Sequence, residues 1–470
     1  MRTECTSEPL LFQGPGRREI RADFDGGDIS SDAGALLLRE VEQHTGIIEQ
    51  FRHCFDDHRD PRRIEHSVRD LVAQRVFGIA LGYEDLNDHE DLRFDPLLAT
   101  VVGKADPKGQ KRSRHRDRGA GLAGKNTLNR IELARAESAA SHRYNRIVLR
   151  EEYIDQVFLD VFLQSFDEPP SEIILDVDAT DDPVHGKQEG RFFHGYYGHY
   201  CYLPLYIFCG NHLLCARLRQ SNIDGSAGSV DELGRIVPWI RKQWPDVKIL
   251  VRGDSGFCRE EIMAWCEEHA VDFVLGLARN SRLERRISKL MTKAKRKNKK
   301  TGKPARYFGE FDYRTRTSWS RSRRVIGKAE YLAKGSNPRF IVTSLTRRQI
   351  GRKQLYEKVY CARGDMENRI KEQQLFLFAD RTSSSFFRAN QTRLYFSSMA
   401  YLLLDALRRL GLRGTELARA QCNTIRTKLL KIGARIRVTV RRVWVSMTQA
   451  CPYANLFRTV VANLRAPPTS

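Results

Sequence analysis

Between residues 171 and 277 the chain alternates short apolar runs with stretches whose apolar residues recur at helical spacing. Ile173 to Asp178 reads as a strand. Tyr196 to Cys209 and Leu213 to Leu218 read as a hairpin turning at Gly210-Asn211, and Ser229 to Trp244 as an amphipathic helix. Val247 to Asp254, Arg259 to Ala270 and Val271 to Leu277 continue as strand, helix and strand, giving the order β-β-β-α-β-α-β. Two of these apolar runs end in an aspartate, Asp178 and Asp254. Upstream, Asp32 onward after the Ser30-Ser31 cap, His66 to Leu81, Leu128 to Glu137 and Tyr153 to Phe166 show helical periodicity. Downstream, β-like runs at Arg306 to Thr317, Arg323 to Leu332 and Arg339 to Leu345 follow a Lys/Arg-rich segment.

The fold class expected from this grammar is α/β. The element order is that of a ribonuclease-H-like mixed sheet, in which the first and fourth strands are neighbours and can bring acids at their ends together. Five regions follow: a mainly helical N-terminal domain (1–168), the first part of the core (169–278), a basic β-rich insertion (279–358), the rest of the core with a polar helix (359–410), and a basic C-terminal region (411–470).

Charge narrows the partner. The 470 residues carry 80 Lys+Arg against 58 Asp+Glu, a net +22, which favours a polyanion such as nucleic acid. The excess is concentrated: 18 basic residues against three acids between Arg279 and Arg324, and 11 against Glu416 alone between Arg408 and Arg442. Aromatics interleave the first run, the pattern of a phosphate-backbone contact. Ten cysteines lack metal-site spacing and read as free thiols of a reducing compartment. The N-terminus lacks an apolar signal core, and no run approaches the roughly 18 apolar residues of a membrane span, so a cytoplasmic protein with no membrane partner is expected.

The candidate chemistry lies in three segments. In IILDVDAT, Asp176 and Asp178 share a strand face; Asp178, at the strand end, is taken as the first acid. In ILVRGDSGF, Asp254 precedes a tight Ser255-Gly256 turn that leaves its carboxylate at the sheet end. In YCARGDMENRIK, helical spacing places Tyr360, Arg363, Glu367 and Lys371 in one stripe. An acid at the end of an apolar strand is costly unless it meets a cation. Three carboxylates suit two Mg²⁺ or Mn²⁺ ions, which activate a hydroxyl and stabilise a leaving oxygen in phosphoryl transfer. Arg363 and Lys371 would take phosphate charge. His185 and His194 read as structural.

At these residues the chain resembles the DDE transposases of bacterial insertion sequences, of the group 1 type, in the branch with a β-strand insertion between the second Asp and the Glu. The resemblance rests on D-A-T at Asp178 to Thr180, R-G-D-S-G-F at Arg252 to Phe257, and the Y-x-x-R-x-x-x-E spacing of Tyr360, Arg363 and Glu367. It extends through ATDDPVHGKQEGRFFHGYYG and ADRTSSSFFRANQTRLYFSSMAYLL. It implies binding of terminal inverted repeats, metal-dependent strand cleavage and strand transfer. The partners it implies are double-stranded transposon ends and target DNA, bound by a homodimer. Asp178, Asp254 and Glu367 inherit the metal-binding acids, and Tyr360 and Arg363 the DNA-contacting signature. The family's Lys seven residues after the Glu is Gln374 here, with Lys371 as the substitute on the same helix. Trp319 is either a base-stacking aromatic of the insertion or a core residue. A catalytically silent DNA-binding descendant and a nuclease that never joins strands are the alternatives.

Overall fold

The computed structural model describes residues 9–134 and 146–466. The chain is mixed α/β, and its described residues form two compact units that cut across the boundaries expected from sequence. The described parts of Met1–His44, Asp60–Asn129 and Leu407–Pro467 make one, while Thr45–Arg59 and the described parts of Arg130–Ala406 make the other. No helix among the described residues is long and apolar enough to cross a membrane. The end of the helix expected at Leu128 to Glu137 lies outside the described residues; the helix itself spans Lys125–Glu132.

In the first unit, helix Val68–Leu81 opens with a reciprocal cap. Asp70 N–H donates to the Ser67 hydroxyl at 3.1 Å, and Ser67 N–H donates to the Asp70 carboxylate at 3.0 Å. The helix closes at Gly82, which takes a left-handed φ of 96°. Its last carbonyls have no intrahelical donor. The buried Arg426 supplies one, donating to Ala80 O at 2.9 Å and to Ile79 O at 3.3 Å. Arg408 is likewise buried and donates to Ala420 O and Cys422 Sγ. Part of the second basic run therefore serves internal packing rather than a solvated face. The C-terminal region is not separate either: strand Ala434–Val438 pairs antiparallel with Asp28–Ser30 on one side and Val443–Met447 on the other.

The buried His66 gives this unit a pH dependence. Burial first, then the Lys104 and Arg112 charges, lower its pKa from 6.5 to about 4. A depressed histidine binds protons more readily when unfolded, so its share of stability is intact above pH 6.5 and is lost as pH falls toward 4. The share is about 3 kcal/mol. Urea midpoints measured between pH 7 and pH 4 should fall more steeply for the natural protein than for His66→Gln; equal slopes would contradict this account.

The second unit is built on one nine-stranded sheet. Its strands are β1 (Glu172–Ala179), β2 (Leu205–Cys209), β3 (His212–Arg217), β4 (Lys248–Gly253), β5 (Asp272–Leu277), β6 (Ala305–Tyr313), β7 (Arg323–Leu332) and β8 (Arg339–Thr343), with Gly335–Ser336 pairing beside β7. The order is β3-β2-β1-β4-β5-β8-β7-β6. β1 and β4 are parallel neighbours, as are β4 and β5, and the remaining pairs are antiparallel. The insertion strands thus extend the core sheet outward from β5.

The expected strand Tyr196 to Cys209 is broken in two. Pro204 cannot donate to a ladder, and the residues before it, His199–Tyr202, join a separate three-stranded sheet with Asp182–Pro183 and Phe192–His194.

Alternation sets the two faces of the large sheet. Ile173, Leu175 and Val177 of β1, with Ile249 and Val251 of β4, face a core closed by helices α1 (Ser229–Gln243) and α2 (Glu260–Glu268) through Ile236, Ile240, Ile262 and Met263. Leu250 and Val274 face the other way, against Leu355 and Tyr356. By the same alternation Asp176, Asp178 and Arg252 lie on this second face, under the segment that carries Glu367.

Candidate active site

Between Leu355 and Phe376 the backbone changes pitch repeatedly. A π-helical stretch, Leu355–Tyr360, leads into a 3-10 turn, Cys361–Arg363, then helix α3 (Gly364–Lys371) and a second π stretch, Glu372–Phe376. The regular stripe expected from sequence is therefore interrupted between Tyr360 and Arg363, although Arg363 and Glu367 remain in contact. Departures from α geometry of this kind recur where side chains must be re-aimed.

Arg363 ties the first and third acids together. It donates to Asp178 Oδ2 at 2.9 Å and to Glu367 Oε1 at 2.6 Å. Burial, opposed by Arg363 and reinforced by the Asp254 and Glu367 charges, pushes the Asp178 carboxyl up to about 6. Asp178 thus lies within electrostatic reach of both other acids. The two Asp belong to neighbouring parallel strands, and the third acid arrives on α3.

Asp254 follows β4 directly, and its Oδ1 accepts the Gly256 N–H at 2.7 Å, fixing the turn. Its Oδ2 takes no hydrogen bond among the described residues. Behind this turn, a Cβ on Gly276 would lie 2.7 Å from both Ser255 N and the Tyr360 hydroxyl, so only glycine admits their approach. Burial first, then Arg363 acting oppositely and Asp254 acting upward, leave the Tyr360 hydroxyl above its ordinary range. Lys371 is exposed at the end of α3.

Asp176 has a different environment. Arg252, opposite it in the β1–β4 register, donates to its Oδ1 at 2.5 Å and its Oδ2 at 2.7 Å, with both residues buried. The same guanidinium donates to Val359 O, fastening the sheet to the Glu367 segment. Sequence reasoning missed this pair, although a lone Arg inside the apolar run ILVRG was a usable signal, since a buried charge requires a partner.

Gln374 also has a definite place: its amide donates to Asp181 O at 3.0 Å and to the buried Asp182 Oδ1 at 2.9 Å. It holds the loop that follows Asp178. Trp319 takes the core alternative. It is 4% exposed, meets Tyr313 edge-to-face at 5.7 Å, and lies 5.6 Å from the Arg323 guanidinium. Its turn is held by Trp319 N–H donating to Thr315 Oγ1 at 2.7 Å.

The first basic run is likewise divided. Arg323 is buried between Glu260 and Glu267, and Arg324 pairs with Glu310. Helix Ser288–Thr301 instead exposes Lys289, Lys293, Lys295, Arg296, Lys297, Lys299 and Lys300, and contains no acid.

The donor set at the acids is entirely carboxylate oxygen, the kind that suits Mg²⁺ or Mn²⁺. No group of three or more His, Cys, Asp or Glu arranged to hold a metal is formed among the described residues. Instead a guanidinium stands where Asp178 and Glu367 converge, a cation already accepted by two carboxylates. The donors therefore fit a divalent cation in chemistry and charge, and in this structure Arg363 stands between Asp178 and Glu367.

A mixed-sheet α/β protein with carboxylates gathered from two adjacent strands and a covering helix defines the class. The chain belongs to the transposase DDE domain group 1 family, whose match covers residues 12–469. Members of this family are insertion-sequence DDE transposases, which generally use divalent metals. No curated protein matches the chain.

Proposed function

We propose that the protein is a DNA transposase that cuts the ends of its element and joins them to target DNA, with Asp178, Asp254 and Glu367 as its catalytic acids. The observation that carries this reading is the Asp178–Arg363–Glu367 bridge with Asp254 in electrostatic reach. It unites three segments far apart in sequence. The strand order supports a ribonuclease-H-like core extended by a β insertion.

In this reading the three acids hold Mg²⁺ or Mn²⁺, two ions, which when bound lower the charge barrier to attack on a phosphodiester. Water first adds to phosphorus and the 3′-oxygen of the element leaves. That 3′-hydroxyl then attacks a target phosphodiester and displaces a new 3′-oxygen. Arg363, released from the acids, pairs with phosphate bidentately. Lys371 and Tyr360 flank the same strand, and the exposed lysines of Ser288–Thr301 bind duplex backbone by counterion release. Two element ends imply a homodimer in the DNA complex, working in the cytoplasm.

The test is one incubation of the protein and Mg²⁺ with a labelled element end and a supercoiled target plasmid. Labelled end covalently joined to plasmid is expected. Nicks without joined product would identify a nuclease, and binding without nicks a silent descendant.

A further inference from the structure

The three-stranded sheet beside the acids carries aromatic side chains that the fold leaves uncovered. Its hairpin runs from Phe192–His194 to His199–Tyr202, with Phe193 opposite Tyr200 and His194 opposite His199. Alternation separates these pairs onto opposite faces.

One face turns toward the acids. His199 Nε2 lies 2.8 Å from Asp181 Oδ2, in the loop that follows Asp178. Tyr197 packs against His194 at 4.9 Å and His199 at 6.1 Å. The His199 contact to Asp181, three residues beyond Asp178, anchors this turn to the loop that leaves the first acid.

The other face is open. Phe193 and Tyr200 meet edge-to-face at 5.6 Å yet remain 58% and 46% exposed, and the Arg191 guanidinium sits 4.5 Å from the Tyr200 ring. At the tip, Tyr196 is 86% exposed and braced edge-on against Tyr197 at 5.0 Å. The tip is closed by Gly198, whose N–H donates to His194 O at 2.8 Å with φ at 76°. The exposed rings of Tyr196 and Phe193 and the guanidinium over Tyr200 match an unpaired nucleobase and its phosphate. A duplex, whose bases are already stacked, offers these rings nothing comparable. A braced hairpin also loses little conformational freedom on binding.

We propose that the hairpin Arg191 to Tyr200 is a stacking platform for unpaired bases of DNA, on the sheet face turned away from the acids, with Tyr196 and Phe193–Tyr200 as the stacking residues. This rests on the DNA-transposase reading.

Fluorescence anisotropy of the full chain, without divalent metal, compares a labelled single-stranded oligonucleotide with its fully paired duplex. Tyr196→Ala and Phe193→Ala should each weaken single-strand binding by about 5- to 100-fold and duplex binding by less than about twofold, while Tyr196→Phe binds as the natural protein does. Equal losses on both DNAs, or no loss on either, would overturn the platform. So would light scattering in which Phe193→Ala or Tyr196→Ala separates copies of the chain while single-strand affinity is unchanged, since the face would then be a protein interface. Natural protein that binds duplex but not single strands removes only the platform; natural protein that binds neither removes the DNA reading as well.

Discussion

Asp254→Ala is expected to lower DNA cleavage and joining by on the order of 10³-fold or more, the effect of several kcal/mol of lost transition-state stabilisation. Binding of a duplex end should stay within about threefold, because phosphate contacts dominate that affinity. The loss cannot come from mis-protonation of Asp178. The Asp254 charge raises the Asp178 pKa, so removing it makes Asp178 ionise more readily. Nor should the fold suffer much, because Asp254 contributes one turn cap, to Gly256, worth roughly 1 kcal/mol. Glu367→Ala should behave alike. Cleavage at the natural rate by either variant, measured with a labelled end in Mg²⁺, would remove these acids from the chemistry.

Arg252→Ala should instead act on stability, costing about 3–5 kcal/mol, because it leaves the buried Asp176 without its bidentate partner. It also removes the donor to Val359 O. The informative variant is the double replacement Asp176→Leu with Arg252→Leu. Substituting both members of a buried pair by apolar groups is often neutral, so the urea midpoint should recover most of the loss. If Asp178 rather than Asp176 is the first acid, this folded double variant retains DNA cleavage. A double variant that folds but no longer cuts would return Asp176 to the active site.

Much of the sheet was legible because its strands obey simple alternation. In β1 and β4 the apolar residues at alternate positions point to one core, and the acids and Arg252 fall on the opposite face. The insertion strand Arg323–Leu332 appears with the bounds its pattern predicts. What escaped the sequence is tertiary in origin. Pro204 splits an apolar run that looks continuous, because the missing N–H matters only once a neighbouring strand is present. The C-terminal strand Ala434–Val438 finds Asp28–Ser30, a pairing with no local signature.

The charge runs were read too uniformly for the same reason. Arg323, Arg408 and Arg426 look like solvated cations in sequence and are buried partners of carboxylates, carbonyls or sulfur. The helix Ser288–Thr301 keeps its basic residues exposed, as do Arg435, Arg437, Arg441 and Arg442 of the second run. At the site, the spacing of Arg363 and Glu367 survives because i,i+4 neighbours touch across one helical turn. Between Tyr360 and Arg363 the pitch changes, a departure that periodicity cannot encode.

Iron-directed backbone cleavage reads whether Asp178, Asp254 and Glu367, distant in sequence, form one cation site. Fe²⁺ replaces Mg²⁺ at carboxylate sites, and with ascorbate and peroxide it generates hydroxyl radicals that cut the chain nearby. Cuts should cluster beside Asp178, Asp254 and Glu367, be suppressed by excess Mg²⁺, and weaken at all three positions in Asp254→Ala. Cuts confined to other acids, such as Glu310 or Glu330 in the insertion, or cuts near one acid that ignore Asp254→Ala, would contradict the single cation site.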